Sequence, residues 1–120
     1  RRVLTDKQTK NICFIADQTP SNSDANLWVK FLHQDTLAFS ASAKLAKKIG
    51  AAIVYAGIVK VKRGYYKYEF EVLYENPKLV DETEIMQTYF NRLEQDIRKN
   101  PDGWLWSHKR WKHKKPTSVL

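Results

Sequence analysis

The 120 residues, 42% hydrophobic and 28% charged, are the size of one compact domain with a modest core and too few for two full domains. Twenty-one Lys+Arg against 13 Asp+Glu leave a formal charge of +8, which favours anionic partners such as phosphates, nucleic acid, acidic carrier proteins or anionic lipid headgroups without choosing among them. A single cysteine, Cys13, excludes an intrachain disulfide framework and a four-cysteine zinc site. In chain order, Asn11-Ile-Cys-Phe-Ile-Ala16 is short, apolar and rich in β-formers, and the loop-forming residues Asp17 to Asp24 follow it. This predicts a buried strand feeding a loop, with Cys13 in the core. Trp28 to Leu32 predicts a second short strand ending near His33-Gln-Asp35. From Ser40 the spacing becomes helical: Ala41, Leu45, Ala46 and Ile49 share one face, Lys44, Lys47 and Lys48 another, and Gly50 stops the helix.

Ala51 to Val59 is almost entirely apolar, which predicts a strand covered on both faces, and Lys60 to Gly64 closes it with a turn. Tyr66, Tyr68, Phe70, Val72 and Tyr74 then alternate with Lys67, Glu69, Glu71, Leu73 and Glu75, the period-two pattern of a half-exposed strand, so the two segments are expected to form an antiparallel hairpin. Asp81 with Glu84 resembles a capping box. A long helix carrying Ile85, Met86, Tyr89, Phe90, Leu93 and Ile97 on one stripe follows, and Asn100-Pro101 ends it. Three of the four tryptophans and a dense positive charge lie between Pro101 and Pro116, and the tail over residues 113–120 is expected to fray. The elements predict an α/β class: a mixed β-sheet with an antiparallel hairpin and packed helices, in a single domain over residues 1–120. The longest apolar stretch, Ile49 to Val59, is about half of what a membrane-spanning helix needs. No signal peptide is visible. Because the chain starts at Arg1 rather than Met, it is expected to be a piece of a longer protein.

Chemistry-bearing residues are few. Residues 36–68 hold seven basic side chains and no acidic one, which suits either a binding face or an ordinary solvated lysine surface. If Trp104 to Lys112 is helical, Trp104, His108 and Trp111 share one face, and Trp106 and Arg110 another. Such a segment serves equally as a packed anchor or as a lipid or cation contact. His33, His108 and His113 lack metal-ligand spacing, the four glycines form no phosphate loop, and no Gly-x-Ser-x-Gly elbow is present. No metal and no cofactor is therefore expected. Asp17 and Gln18 stand where a strand emerges into a loop, the place where α/β sheets commonly present functional side chains, although an Asx-turn explains them as well.

Four blocks in order, Ala16-Asp-Gln-Thr-Pro20, Trp28-Val-Lys-Phe-Leu32, Ala43-Lys-Leu-Ala46 with Gly50-Ala-Ala-Ile-Val54, and Trp104-Leu-Trp-Ser-His-Lys-Arg-Trp-Lys112, resemble the bacterial lipid A biosynthesis acyltransferase family, which includes lauroyl and myristoyl transferases. The resemblance spans about Asn11 to Pro116 and corresponds to the C-terminal portion of a member, so the fold it implies is a fragment of a glycerolipid-acyltransferase-like domain. It implies acyl transfer from an acyl carrier protein or other acyl thioester to a hydroxyl of a phosphorylated glycolipid, at the cytoplasmic face of the bacterial inner membrane. The family's catalytic pair is a His followed five residues later by Asp or Glu, in which the carboxylate orients the imidazole that takes the hydroxyl proton. Here the fifth residue after His33 is Ala38, after His108 is His113, and after His113 is Ser118, so no catalytic residue is assigned and the fragment alone is expected to be inactive. By resemblance Asp17 and Gln18 edge the active site, and Arg63 and Arg110 bind phosphate through the two-pronged guanidinium. Trp104, Trp106, Trp111 and Lys112 are expected to meet lipid or the membrane surface. Leu32-His33-Gln34 departs from the family's aromatic-glycine ending of that segment. The alternative is a basic, aromatic-rich nucleic-acid-binding or peripheral lipid-binding module without catalysis; no nucleic-acid motif is present, and no nucleic-acid partner is expected.

Overall fold

A computed structural model of the chain describes residues 11–14, 27–103 and 110–111. Strands β1 (Leu27–Phe31) and β2 (Gln34–Ala38) form one antiparallel hairpin, helix α1 (Ala41–Ile49) follows, strands β3 (Ile53–Lys62) and β4 (Tyr65–Tyr74) form a second antiparallel hairpin, and helix α2 (Glu82–Lys99) runs into a 3-10 turn at Pro101–Gly103. Both sheets among the described residues are two-stranded, so the α/β class is realised as two hairpins and two helices.

Two-stranded hairpins bury too little to stand alone, and α2 supplies the missing surface for both. Its inward stripe, Ile85, Met86, Phe90 and Ile97, is buried together with Val29, Phe31, Ala38 and Ala43, and this set is the core. Asp81 caps the helix by accepting the Thr83 N–H at 2.8 Å, and Glu82 and Glu84 in the first turn with Arg98 and Lys99 in the last complement the dipole. α2 also covers the first hairpin at β1: the Gln87 carboxamide accepts the Lys30 N–H at 2.8 Å and donates to the Lys30 carbonyl at 2.7 Å. One side chain thereby satisfies both backbone groups that a further strand would otherwise pair. Tyr74, whose hydroxyl lies 2.7 Å from Thr88 Oγ1, and Ile53 fix the base of the second hairpin to the same core.

The helix and hairpin expectations hold, with differences that packing explains. Residues 11–14 carry no regular secondary structure and are exposed, so Cys13 is a surface thiol rather than a core residue; the remainder of that expected strand and its loop lies outside the described residues. The segment after Leu32 does not trail off but turns back as β2, through Leu32 and His33 at φ 51° and 64°. Two consecutive positive φ values are the signature of a two-residue turn matched to the strand twist, a conformation usually left to Asn and Gly, which is why this turn carried no sequence signal. In α1 Ala43 is the fully buried residue, Leu45 and Ala46 are half-buried and Ile49 is exposed, a rotation from the face that the spacing alone suggested. Gly50 ends the helix at φ 68°, as expected of a left-handed cap. β3 is covered on one face only: Tyr55 and Gly57 are buried, while Val54, Ala56 and Ile58 between them are exposed. An all-apolar run reads as doubly covered, but among the described residues only α2 covers it.

Candidate functional site

The expected site residues fall into three groups. Asp17, Gln18, Trp104, Trp106 and Lys112 lie outside the described residues. Arg63 is exposed at the tip of the β3–β4 hairpin, where Gly64 at φ 81° completes the turn and where Lys60, Lys62 and Lys67 gather within the adjoining strands. Arg110 and Trp111 instead lie against the core. Arg110 is 1% exposed, donates from Nη2 to the Leu37 carbonyl at 2.8 Å, and has its guanidinium carbon 5.1 Å from the centre of the Phe90 ring. The Trp111 indole N–H donates to Thr36 Oγ1 at 2.8 Å, and the indole stacks on Phe31 at 5.9 Å. Thr36 is itself buried and passes its own proton to the Gln34 carbonyl at 3.1 Å. Arg110 and Trp111 therefore tie the C-terminal segment to β2 and α2, the packed-anchor arrangement, and do not share a surface with Arg63.

A polar cluster that sequence reasoning missed joins the inner face of the second hairpin to α2. Tyr55 donates from its hydroxyl to Asp96 Oδ2 at 2.7 Å; Arg92 pairs with Asp96 Oδ1 and, at 2.8 Å, with Glu71 Oε2; the guanidinium carbon of Arg92 lies 4.8 Å from the Tyr55 ring centre. Burial first, and then the bond to the Asp96 carboxylate, hold the Tyr55 hydroxyl well above the usual tyrosine value, so it is a proton donor throughout the neutral range. The bond to Asp96 likewise raises the Arg92 guanidinium. Gly57 makes room for this: a Cβ there would meet Asp96 Oδ2 at 3.0 Å and Tyr55 Cε1 at 3.2 Å. The only sequence signal was a lone Gly in an otherwise apolar strand, which marks a close approach without saying of what.

A second polar group surrounds the Leu32–His33 turn. Glu94 Oε1 accepts the Leu32 N–H at 2.6 Å, Glu94 Oε2 accepts from Arg98 Nε at 3.2 Å, and Arg98 Nη2 stands 3.3 Å from His33 Nε2. The acid closest to this imidazole through the network is thus Glu94, reached by way of Arg98, and the pairing needed to orient a general base is not formed here. Among the described residues no group of three or more His, Cys, Asp or Glu is placed to hold a metal ion, and no helix is long and apolar enough to cross a membrane.

What the described geometry offers is a cationic hairpin tip, a buried guanidinium anchor and two polar networks that fix α2 against the hairpins. A search of the curated proteins finds no significant match. The profile of the bacterial lipid A biosynthesis acyltransferase family matches residues 4–113, which takes in both hairpins, both helices and the C-terminal anchor. With nearly all of its length matched, the chain belongs to the bacterial lipid A biosynthesis acyltransferase family.

Proposed function

We propose that the chain is the non-catalytic C-terminal portion of an acyltransferase that moves a fatty acyl chain from an acyl carrier thioester to a hydroxyl of a lipid A precursor or related phosphorylated glycolipid, at the cytoplasmic face of the bacterial inner membrane. The observation that carries this reading is the family match over residues 4–113 in a chain where no histidine has an acid five residues on. The acceptor oxygen forms its bond to the thioester carbonyl carbon as its proton passes to an imidazole supplied by residues outside this chain; the carbon–sulfur bond breaks, and the departing thiolate takes the proton back. This chain supplies walls and charge. Arg63 is the better placed of the two guanidinium candidates for the acceptor's phosphate, since it stands in solvent with both prongs accessible, whereas Arg110 reaches a phosphate only by giving up the Leu37 carbonyl and leaving the core.

The test is acyl transfer from an acyl carrier thioester to a lipid A precursor. The 120 residues alone are expected to give none, and the parent protein is expected to turn over. In the parent, Arg63→Ala is expected to raise KM for the phosphorylated acceptor on the order of tenfold, the weight of one charge-assisted contact, with kcat little changed. Turnover by the isolated chain, or an Arg63→Ala parent with unaltered KM, refutes the assignment.

A further inference from the structure

The face of the β3–β4 hairpin that points away from α2 is covered by nothing among the described residues. The register pairs Val54 with Val72, Ala56 with Phe70, Ile58 with Tyr68 and Lys60 with Tyr66, and directly opposed residues share a face. Tyr55, Gly57 and Glu71, one position out of phase, are the ones that meet Asp96 and Arg92, so the even-numbered set looks outward. Its large members, Val54, Ile58, Tyr66, Tyr68, Phe70 and Val72, are between 49% and 70% exposed. They form one strip roughly 20 Å long at the rise of a strand. Three aromatics and three aliphatics at that exposure leave on the order of 500 Å² of apolar surface, a patch of the size that marks interaction sites.

Charge selects the occupant. From Lys60 to Lys67 the tip carries Lys60, Lys62, Arg63 and Lys67 and no acid. Of the two acids further down β4, Glu69 lies 3.4 Å from Lys67 and Glu71 is held by Arg92. With Lys67 paired to Glu69, the strip ends in the positive charge of Lys60, Lys62 and Arg63, which form no ion pair among the described residues, with Tyr65 and Tyr66 beside it and the Lys62 ammonium 4.3 Å from the Tyr65 ring centre. Apolar side chains along a face, tyrosines at its margin and cations at its tip match the layers of an anionic bilayer surface: acyl boundary, headgroup level and phosphates. A second copy of this chain fits less well, because about 500 Å² on each partner is short of the roughly 800 Å² that a stable dimer buries on each side. Single-stranded nucleic acid would use the rings but gains nothing from Val54, Ile58 and Val72.

We propose that the outer face of the β3–β4 hairpin is a membrane-docking surface, which lays its aliphatic and aromatic strip into an anionic bilayer surface while Lys60, Lys62 and Arg63 at its tip contact lipid phosphates. The proposal deepens the membrane element of the acyltransferase reading but rests on the hairpin alone, and it is tested without acyl donor or acceptor, so either fails without the other. The full chain is sedimented with vesicles of phosphatidylglycerol and phosphatidylethanolamine, and with vesicles of phosphatidylcholine. The natural chain is expected to bind the anionic vesicles, and Ile58→Ser with Phe70→Ser to lower partitioning at least tenfold. Lys60→Gln, Lys62→Gln and Arg63→Gln together are expected to lower it on the order of 100-fold and to erase the preference for anionic lipid. All these side chains are exposed, so circular dichroism should show both variants folded. As an independent readout, a nitroxide on Ile58→Cys in a Cys13→Ser background is expected to report burial below the headgroups. Failure of the natural chain to bind, partitioning unchanged in both variants, a nitroxide that stays in water, binding to a single-stranded oligonucleotide that is lost in the same variants, or a dimer that Phe70→Ser dissociates would each overturn it.

Discussion

Replacing Arg110 with Ala is expected to cost about 3–5 kcal/mol of stability, because three contributions disappear together. The Leu37 carbonyl loses a charged donor at 2.8 Å inside the core, worth about 1–3 kcal/mol. The guanidinium leaves the face of Phe90, worth about 1–2 kcal/mol when desolvated. The long aliphatic stem of a side chain only 1% exposed leaves a cavity between β2 and α2. Arg110→Met keeps most of the volume and loses the donor and the charge, so it should cost about half as much. Urea unfolding followed by circular dichroism gives the answer: at a slope of about 1.5 kcal/mol/M, the Ala variant should shift the midpoint down by about 2–3 M with the slope preserved. A cost below about 1 kcal/mol for Arg110→Ala would show that the guanidinium is solvated and would remove the anchor role. A parent acyltransferase in which Arg110→Met stays as stable as the natural protein yet has a raised KM for a phosphorylated acceptor would place this side chain on substrate instead.

Four further outcomes follow from the same geometry. Tyr55→Phe deletes the bond to Asp96 and should cost about 1–2 kcal/mol, and a double-mutant cycle with Asp96→Asn should return a coupling of about 0.5–2 kcal/mol; strict additivity would deny the contact. Because the folded-state value of the Tyr55 hydroxyl is raised above the unfolded value of about 10, its stabilisation is complete below about pH 10 and is lost as pH climbs toward the folded value. The alkaline limb of the stability curve should therefore be shallower in Tyr55→Phe. Gly57→Ala should destabilise by about 1–3 kcal/mol in thermal melts, since the new methyl group meets a carboxylate that Tyr55 and Arg92 hold in place; an unchanged melting temperature would mean that Asp96 is free to move. His33→Gly should stabilise by about 0.5–1 kcal/mol, the relief of a left-handed residue less the added unfolded-state entropy, and a fall in melting temperature would show that the contact with Arg98 outweighs it.

The residues by themselves fixed the local elements wherever periodicity and end signals agreed. The stripe from Ile85 to Ile97 with its Asp81 cap, the Gly50 stop, and the alternation from Tyr66 to Tyr74 all describe what the structure contains, because each depends on neighbours within a turn or a strand. The family, too, was readable from four ordered blocks, and the match over residues 4–113 agrees. Whether an apolar segment is covered, and by what, was decided only in three dimensions. Ala51 to Val59 has the composition of a buried strand, yet α2 reaches one of its faces and leaves the other outward, and Asn11 to Phe14 lies exposed despite being as apolar as a core strand. Arg110 and Arg63 are the same residue type in equally basic surroundings; one is interior because Leu37 and Phe90 converge on it from distant parts of the chain, the other is solvated because it tips a hairpin. Burial is a property of contacts between segments far apart in sequence, so no local pattern encodes it, whereas helix ends and strand alternation are settled by bonds within a few residues.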